Sequence, residues 1–343
     1  MDSTPPLLEI NGLKTYFFLD EGVVKAVEGA DLAVPQRATV GIVGESGCGK
    51  TVTAYSILQL VERPGRIEAG EVLWHRATGD LEEVVDLAAL KPNSRAMRSV
   101  RGGEIAMIFQ EPLSSLSPVH TIGDQIVEAI ALHRPVRRHE ARQQAIEMLH
   151  RVGIPRPEQR IDAYPFQLSG GMRQRAMIAL ALSCYPKLLI ADEPTTALDV
   201  TTQAQILELM LELQQDFGMS ILLITHNLGV VAETCDQVVV MYLGEVVERA
   251  GTPALFEDPL HPYTEALLRS IPKLGQRNQG RLDPIRGMVP DPYNRPAGCA
   301  FHPRCTRRIA GVCDRQHPEL IQIPASDGSS RAVRCFLYGE SHD

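Results

Sequence analysis

The pattern that most constrains the fold is a phosphate loop, G-x-x-x-x-G-K-[ST]. It is matched by Gly44-Glu45-Ser46-Gly47-Cys48-Gly49-Lys50-Thr51. The apolar run 38–43 before it predicts a buried strand, and a helix is expected to begin near Lys50. Glycines let successive backbone N–H groups point at a phosphate, Lys50 would reach the β- and γ-phosphates, and Thr51 would offer its hydroxyl to Mg²⁺. The sequence therefore predicts an α/β nucleotide-binding fold.

A second motif is the apolar run Leu188–Ala191, which ends in Asp192 and Glu193. A buried strand does not end in two acids without a cation nearby, because an unpaired buried charge is costly. We expect Asp192 to be a carboxylate of the Mg²⁺ site. Glu193 is placed to orient the water that attacks the nucleotide.

Between these motifs lies Leu168-Ser169-Gly170-Gly171-Met172, a turn that opens a helix and can therefore bind an anion. A helical pattern separates it from Lys50: apolar residues recur at helical spacing at Ile122, Ile126, Val127 and Ile130, and again from Ala145 to Val152. Such a turn completes a nucleotide site on another subunit, a second copy or a paralogue. The two subunits would then bury two nucleotides between them, head to tail.

The order of these three motifs resembles that of the ATP-binding subunits of ABC transporters. The resemblance implies that Gln110 contacts the γ-phosphate, Mg²⁺ and the membrane subunits. It implies catalytic roles for Glu193, Gln110 and His226, which follows the apolar run 220–225. It also implies an interfacial loop at Ala197-Leu198-Asp199.

The remaining nucleotide contacts are also implied by the resemblance. Ser169, Gly170, Gly171 and Asp199 would contact ATP across the interface. Phe17, with Tyr16 as the alternative, lies where the family places an aromatic side chain on adenine. An aromatic residue here is equally compatible with packing under the first sheet.

The chain of 343 residues has room for one ATPase domain and a smaller appended one. The resemblance implies an ABC ATPase domain over 1–255, with an N-terminal antiparallel β subdomain and a helical subdomain over about 110–185. Residues 256–343 form the extension. Strands are also expected over 220–225 and 237–242, a helix over 202–215, and a hairpin turn at Leu243-Gly244.

The formal net charge of −8 argues against a general nucleic-acid binder, because neutralising phosphates requires clustered Lys and Arg. No apolar run reaches the roughly 18 residues of a membrane span, and the N-terminus does not read as a secretion signal. We therefore expect the protein to stay in the cytoplasm, and the resemblance places it on the inner face of the membrane.

Beyond about Thr252 the chain resembles the C-terminal extension of oligopeptide/dipeptide and nickel importer ATPases. The resemblance rests on the segments Phe256–Thr264, Leu267–Pro272, Gly287–Pro290 and Gly298–Cys305. It implies import of di- or oligopeptides, with a nickel complex, glutathione or a sugar as alternatives. The implied partners are a paralogous or identical ATPase, two permease subunits and, indirectly, an extracytoplasmic solute-binding protein.

Four of the seven cysteines fall in this extension, with the spacing Cys299-x₅-Cys305-x₇-Cys313-x₂₁-Cys335. In a cytoplasmic protein such clustering indicates metal or redox chemistry. Four thiolates suit Zn²⁺ or an iron–sulfur cluster, with His302 and His317 as possible substitutes, and ordinary buried thiols are the alternative. The resemblance implies a [4Fe–4S] cluster, which would either staple the extension or sense redox state.

Two other classes of function are alternatives. A soluble ABC ATPase of translation or DNA repair usually joins two cassettes or inserts a long coiled coil, and neither is visible here. A redox regulator with a vestigial ATPase is disfavoured by the intact Lys50, Asp192, Glu193 and His226.

Overall fold

The computed structural model describes residues 5–78, 81–110, 115–196, 198–270, 285–324 and 330–339. The chain forms two compact units. The first comprises Met1–Ala33, Val40–Ala89 and Thr225–Asp343, and the second comprises Val34–Thr39 and Leu90–Ile224.

The first unit contains a four-stranded sheet built from the N-terminal part of the chain, in the order β2-β1-β4-β5. Its strands are β1 (Leu8–Leu19), β2 (Gly22–Val34), β4 (Gly65–Thr78) and β5 (Leu81–Asp86). The pairs β1/β4 and β4/β5 are antiparallel. Trp74 on β4 is fully buried with Leu8 and Ile10 of β1, so one face of this sheet packs into the core.

The phosphate loop follows a strand in the other group of strands of the first unit, which lie in the order β11-β12-β10-β9-β3. They are β3 (Thr39–Val43), β9 (Gln237–Tyr242), β10 (Glu245–Gly251), β11 (Ile321–Pro324) and β12 (Ser330–Val333). β3 and β9 are parallel, whereas β9/β10, β10/β12 and β11/β12 are antiparallel. The C-terminal extension thus supplies two strands, of which β12 pairs with β10 and β11 pairs with β12.

The helices of this unit are short. They are α1 (Lys50–Ile57), α8 (Leu228–Thr234), α9 (Thr252–Glu257) and α10 (Pro262–Arg269), with a 3-10 turn at His302–Arg304.

The second unit joins parallel strands to helices. Its strands are β6 (Ile105–Ile108), β7 (Leu188–Asp192) and β8 (Ser220–Ile224), with β7 in the middle. Its helices are α2 (Arg95–Val100), α3 (Ile122–His133), α4 (Arg138–Arg151), α5 (Pro157–Arg160), α6 (Gly170–Leu182) and α7 (Val200–Phe217), with a 3-10 turn at Pro165–Gln167.

Burial follows the apolar periodicity. Ile122, Ile126 and Ile130 line the buried face of α3, and Ala145 and Met148 that of α4. The predicted elements over 38–43, 188–191, 202–215, 220–225 and 237–242 are all present, with ends shifted by at most two residues. The predicted turn at 243–244 joins β9 to β10. Among the described residues, no helix is long and apolar enough to cross a membrane.

Candidate functional site

The phosphate loop connects β3 to α1, as the sequence predicts. Gly49 precedes the helix with φ +99° and Gly44 begins the loop with φ +151°. A Cβ on Gly44 would lie 2.2 Å from the Met241 carbonyl oxygen, and one on Gly49 would lie 2.3 Å from that of Ala26. Neighbouring backbone therefore requires glycine at both positions, and the loop ends at a helix N-terminus, which favours a bound anion.

Lys50 lies over the loop that precedes it. Its ammonium group donates to the carbonyl oxygens of Gly44 at 2.9 Å and Glu45 at 3.1 Å, and it lies 3.8 Å from the Cys48 sulfur. The Lys50 residue is 7% exposed. Burial raises the pKa of the Cys48 thiol, so this neighbour of Lys50 is neutral.

Glu45 of this loop makes two contacts that the sequence analysis missed. Its backbone N–H donates to the Tyr263 hydroxyl at 2.8 Å. Its carboxylate accepts two hydrogen bonds from Arg304, at 2.6 and 3.0 Å. A carboxylate inside an anion-binding loop is itself a signal that a cation must lie nearby.

His226 lies in the same unit as the phosphate loop. The N–H of the preceding Thr225 donates to the Ile42 carbonyl oxygen at 3.3 Å, two residues before Gly44. Asn227 then caps α8 by accepting from Gly229 and Val230. The His226 side chain is exposed, next to the strand that carries the loop.

The second unit brings Gln110 and Glu193 together. The Gln110 side-chain amide donates to Glu193 Oε2 at 3.0 Å, and the Thr196 hydroxyl donates to the same oxygen at 2.9 Å. The Glu193 N–H donates to the Ile224 carbonyl oxygen, and its backbone has φ +47°. Asp192, the last residue of β7, is 1% exposed. The two parallel strands β6 and β7 thus end in a polar cluster.

The predicted anion-binding turn opens α6. Ser169 caps this helix by accepting from the Met172 N–H at 3.3 Å, and Ser169 and Gly170 are exposed. A Cβ on Gly171 would lie 3.3 Å from Thr202 of α7.

Asp199 caps α7 through the Thr202 N–H at 3.0 Å, and this hydrogen bonding lowers the pKa of the Asp199 carboxyl. The starts of both helices therefore lie side by side. Ala197 of the predicted interfacial loop lies outside the described residues.

The two aromatic residues at the predicted adenine position have different surroundings. The Tyr16 hydroxyl donates to both carboxylate oxygens of Glu28, at 3.0 and 2.9 Å, and burial, with help from this carboxylate, raises the pKa of Tyr16 to about 12. Phe17 is half-buried and pairs with Gly65, where a Cβ would lie 2.6 Å from the Phe17 ring. Stacking of Phe17 on adenine stays a prediction.

Among the four cysteines of the extension, Cys299, Cys305 and Cys335 each lie near enough to others of the four that a neighbouring thiolate would raise the pKa of the thiol. Burial is the main cause that raises the pKa of Cys299 to about 12 and of Cys335 to about 11, and it also raises that of Cys305. The N–H of Cys299 donates to the Cys313 carbonyl oxygen at 2.9 Å.

No three metal-ligating side chains among the described residues lie close enough together to hold a metal ion. His317 interacts with Glu245 at 2.5 Å, and His302 Nδ1 lies 3.0 Å from the Cys299 carbonyl oxygen. Both histidines are therefore engaged with protein groups.

Two family models match the chain. Residues 27–196 match the model described as "ABC transporter", and residues 247–313 match "Oligopeptide/dipeptide transporter, C-terminal region".

Similar proteins match almost the full length. The chain is 51% identical over 335 residues to the oligopeptide transport ATP-binding protein AppD of Bacillus subtilis, and the match covers 97% of both chains. It is 48% identical over 329 residues to the dipeptide transport ATP-binding protein DppD of Escherichia coli, with 96% of both chains covered.

Solved structures agree in fold. A dimeric, post-hydrolysis structure of the ATP-binding cassette MJ0796 bound to ADP and Pi has a TM-score of 0.61 and 25% identity, and the match covers 71% of this chain and 98% of that one. The structure of cbiO1 from Clostridium perfringens, part of the ABC transporter complex cbiONQ, has a TM-score of 0.59 and 25% identity, with 73% of this chain and 90% of that one covered.

Proposed function

Because the chain belongs to the ATP-binding subunits of ABC transporters, in the group with an oligopeptide/dipeptide-type C-terminal region, we propose that it energises the import of di- and oligopeptides. The protein is an ATPase of this family. The peptide substrate is supported by relatives named for peptide transport, which match from end to end, including the C-terminal region. The same ATPase role for a nickel complex, glutathione or a sugar is the alternative.

The observation that carries the hydrolytic role is the hydrogen-bonded cluster of Gln110, Glu193 and Thr196. Water attacks the γ-phosphorus of ATP, a new phosphorus–oxygen bond forms, and the bond to the β-phosphate oxygen breaks. The water proton passes to the carboxylate of Glu193. Donors on both Gln110 and Thr196 fix Glu193 Oε2, so they orient the carboxylate.

The phosphate loop and Lys50 bind the β- and γ-phosphates, and His226 and Gln110 contact the γ-phosphate. The donors of Thr51, Gln110 and Asp192 are oxygen atoms, which suit Mg²⁺. In Gln110 the amide nitrogen donates to Glu193, which leaves its amide oxygen as the atom suited to a metal. Bound Mg²⁺ would neutralise charge on the phosphate oxygens.

The interfacial role belongs to the starts of α6 and α7. Ser169 and Gly170 are exposed at a helix N-terminus, and Asp199 caps the helix beside it. We propose that they contact ATP held by the phosphate loop of a partner ATPase, a paralogue or a second copy. Loss of the γ-phosphate then removes this contact and opens the dimer.

The organisation proposed from the sequence is an ATPase domain over 1–255, a helical subdomain over about 110–185 and an extension over 256–343. The extension is supported by a separate family model over 247–313. Two permease subunits would hold the protein on the cytoplasmic face of the membrane, and a solute-binding protein would deliver the peptide to them.

For the extension we propose a [4Fe–4S] cluster on Cys299, Cys305, Cys313 and Cys335. Four cysteines in one part of the extension offer a sulfur-only donor set. Zn²⁺ bound by the same four thiolates is the alternative. A bound cluster would cross-link the extension and carry one-electron redox chemistry.

Transport is tested on the assembled complex. The chain, purified with its co-eluting partners, is reconstituted in proteoliposomes with the solute-binding protein, and ATP-driven uptake of a labelled dipeptide and a labelled tetrapeptide is measured. The complex carrying Lys50→Ala is the matched control and should take up neither. If the complex takes up nickel, glutathione or a sugar but neither peptide, that solute replaces peptides as the proposed substrate. Co-elution with ribosomes or DNA instead of membrane proteins would refute the importer function.

The cluster is tested by anaerobic purification. The full chain should be brown and contain equal amounts of iron and acid-labile sulfide, and Cys305→Ser should lose most of both. Cys184→Ser, outside the extension, is the control. A colourless protein that carries zinc would refute the cluster.

A further inference from the structure

The C-terminal extension reaches into the phosphate loop at one residue, Glu45. Tyr263 accepts the Glu45 N–H at 2.8 Å, and Arg304 donates to both carboxylate oxygens at 2.6 and 3.0 Å. The Glu45 carbonyl oxygen meanwhile accepts from the Lys50 ammonium group at 3.1 Å. All three polar groups of Glu45 therefore have partners. Residues beyond position 255 hold its backbone N–H and its side chain, and Lys50 contacts its carbonyl oxygen.

The Arg304 side chain is also held by contacts with groups other than Glu45. Its side chain is 4% exposed, its Nε donates to the Arg286 carbonyl oxygen at 3.0 Å, and its Nη1 lies 3.4 Å from the Tyr242 hydroxyl. The guanidinium carbon lies 5.8 Å from the centre of the Tyr242 ring. A planar guanidinium held in this way presents a preformed fork to a carboxylate.

The turn that carries Arg304 is bounded by two of the cysteines. Arg304 N–H donates to the Phe301 carbonyl oxygen, and His302 N–H donates to that of Cys299. Phe301 packs edge-on against Tyr242, with ring centres 5.2 Å apart. Its ring is tilted against that of Tyr263, with ring centres 5.4 Å apart. The turn from Cys299 to Cys305 thus places Phe301 against Tyr263, and it places Arg304 in contact with Glu45.

Charge gives this arrangement a function. The loop binds a polyanion, and a carboxylate within it would repel the phosphates unless it were neutralised. Arg304 supplies the neutralising charge from outside the loop. Its bidentate geometry also fixes the position of the carboxylate.

We propose that Arg304 is a positioning residue for nucleotide binding: together with Tyr263 it fixes Glu45 and neutralises its carboxylate, so that the phosphate loop binds ATP. The inference rests on the assignment of residues 44–51 as the ATP phosphate site. The C-terminal extension is thereby part of the machinery that sets ATP affinity.

The test is a double-mutant cycle on the purified full chain, with affinity measured by titration of a fluorescent ATP analogue. Arg304→Ala should weaken binding about tenfold, inside the range of about 5- to 150-fold found for coupled sites. Glu45→Gln in the Arg304→Ala background removes the exposed negative charge and should restore most of that loss. Arg304→Lys, which keeps the charge without the fork, should fall between wild type and Arg304→Ala.

A structural defect is separated from positioning by a matched arginine. Arg334 is as buried as Arg304 and lies in the same extension, where it donates to the carbonyl oxygens of Val246 and Pro318. Arg334→Ala should lower the Tm as much as Arg304→Ala while ATP affinity stays within about twofold. Tyr263→Phe removes only the hydroxyl that accepts the Glu45 N–H. It should weaken ATP binding without unfolding the extension, so a second variant remains if Arg304→Ala does not fold.

Unchanged affinity in folded Arg304→Ala or Tyr263→Phe would overturn the inference. Equal losses of ATP affinity in Arg304→Ala, in Arg334→Ala and in the Glu45→Gln/Arg304→Ala double variant would overturn it as well. The loss would then come from general destabilisation of the extension. Lys50→Ala distinguishes the underlying assignment: if Lys50→Ala binds ATP like wild type, residues 44–51 are not the phosphate site. If Lys50→Ala loses binding while Arg304→Ala keeps it, only the role of Arg304 fails.

Discussion

The substitution Glu193→Gln separates the chemistry of the carboxylate from its structural contacts. Glu193 Oε2 accepts from the Gln110 amide at 3.0 Å and from the Thr196 hydroxyl at 2.9 Å. A glutamine side chain has the same shape and keeps one oxygen, which can accept both hydrogen bonds. Each bond contributes about 0.5–1.5 kcal/mol, so retaining both should leave the free energy of unfolding within about 1 kcal/mol of wild type.

The turnover rate should respond differently, because an amide cannot take the proton of the attacking water. Loss of a general base lowers rates about 10²- to 10⁴-fold, or about 3–5 kcal/mol in the activation barrier. Phosphate release at saturating ATP measures this loss on the assembled complex. Titration of an ATP analogue should show unchanged affinity, and size exclusion in ATP should show an accumulated dimer.

Two controls frame the Glu193→Gln experiment. Glu208→Gln makes the same charge change at an exposed position of α7 and should leave turnover unchanged. Glu193→Ala removes the acceptor for both donors and should cost about 1–3 kcal/mol of stability, which Glu193→Gln does not. Turnover of Glu193→Gln within about tenfold of wild type would refute the assignment of Glu193 as the base.

Three further substitutions test the phosphate loop, the interface and a buried histidine. Gly49→Ala should abolish binding of a fluorescent ATP analogue, because its Cβ would lie 2.3 Å from the Ala26 carbonyl oxygen at φ +99°; retained affinity would contradict the loop geometry. Ser169→Arg should block ATP-dependent dimers in size exclusion and stop hydrolysis, while the isolated subunit still binds the analogue; loss of that binding would argue against a shared site. Burial lowers the pKa of His261 to about 3 from 6.5, so the unfolded chain takes up the proton first and stability is lost as the pH falls below about 6.5. His261→Asn can still cap α10, and its urea midpoint should fall less than that of wild type between pH 7 and pH 4.5, with parallel curves counting against the idea.

The parts of the fold that the sequence predicts are those where local chemistry decides the structure. β3, β7 and β8 are short and fully buried, so each appears as an unbroken apolar run. α3 and α4 bury one face, which leaves a helical period in the sequence. The turn between β9 and β10 is marked by its glycine.

The missed features depend on contacts far apart in sequence. β12 reads Ser-Arg-Ala-Val, too short and polar to indicate that it pairs with β10 more than 80 residues earlier. Gln110 gains its partner Glu193 only when β6 and β7 lie side by side. The phosphate-loop pattern places Glu45 in the loop, but nothing in that pattern indicates that Tyr263 and Arg304 are its partners.

The distance along the chain between Glu45 and Arg304 also sets an order in time during synthesis. Their separation is 259 residues. At about 5–20 residues per second, Arg304 leaves the ribosome roughly 13 to 52 s after Glu45. The phosphate loop therefore emerges well before the arginine that neutralises Glu45. A nascent chain that has not yet reached Arg304 lacks this contact, so under the proposed role of Arg304 tight ATP binding follows the synthesis of this residue.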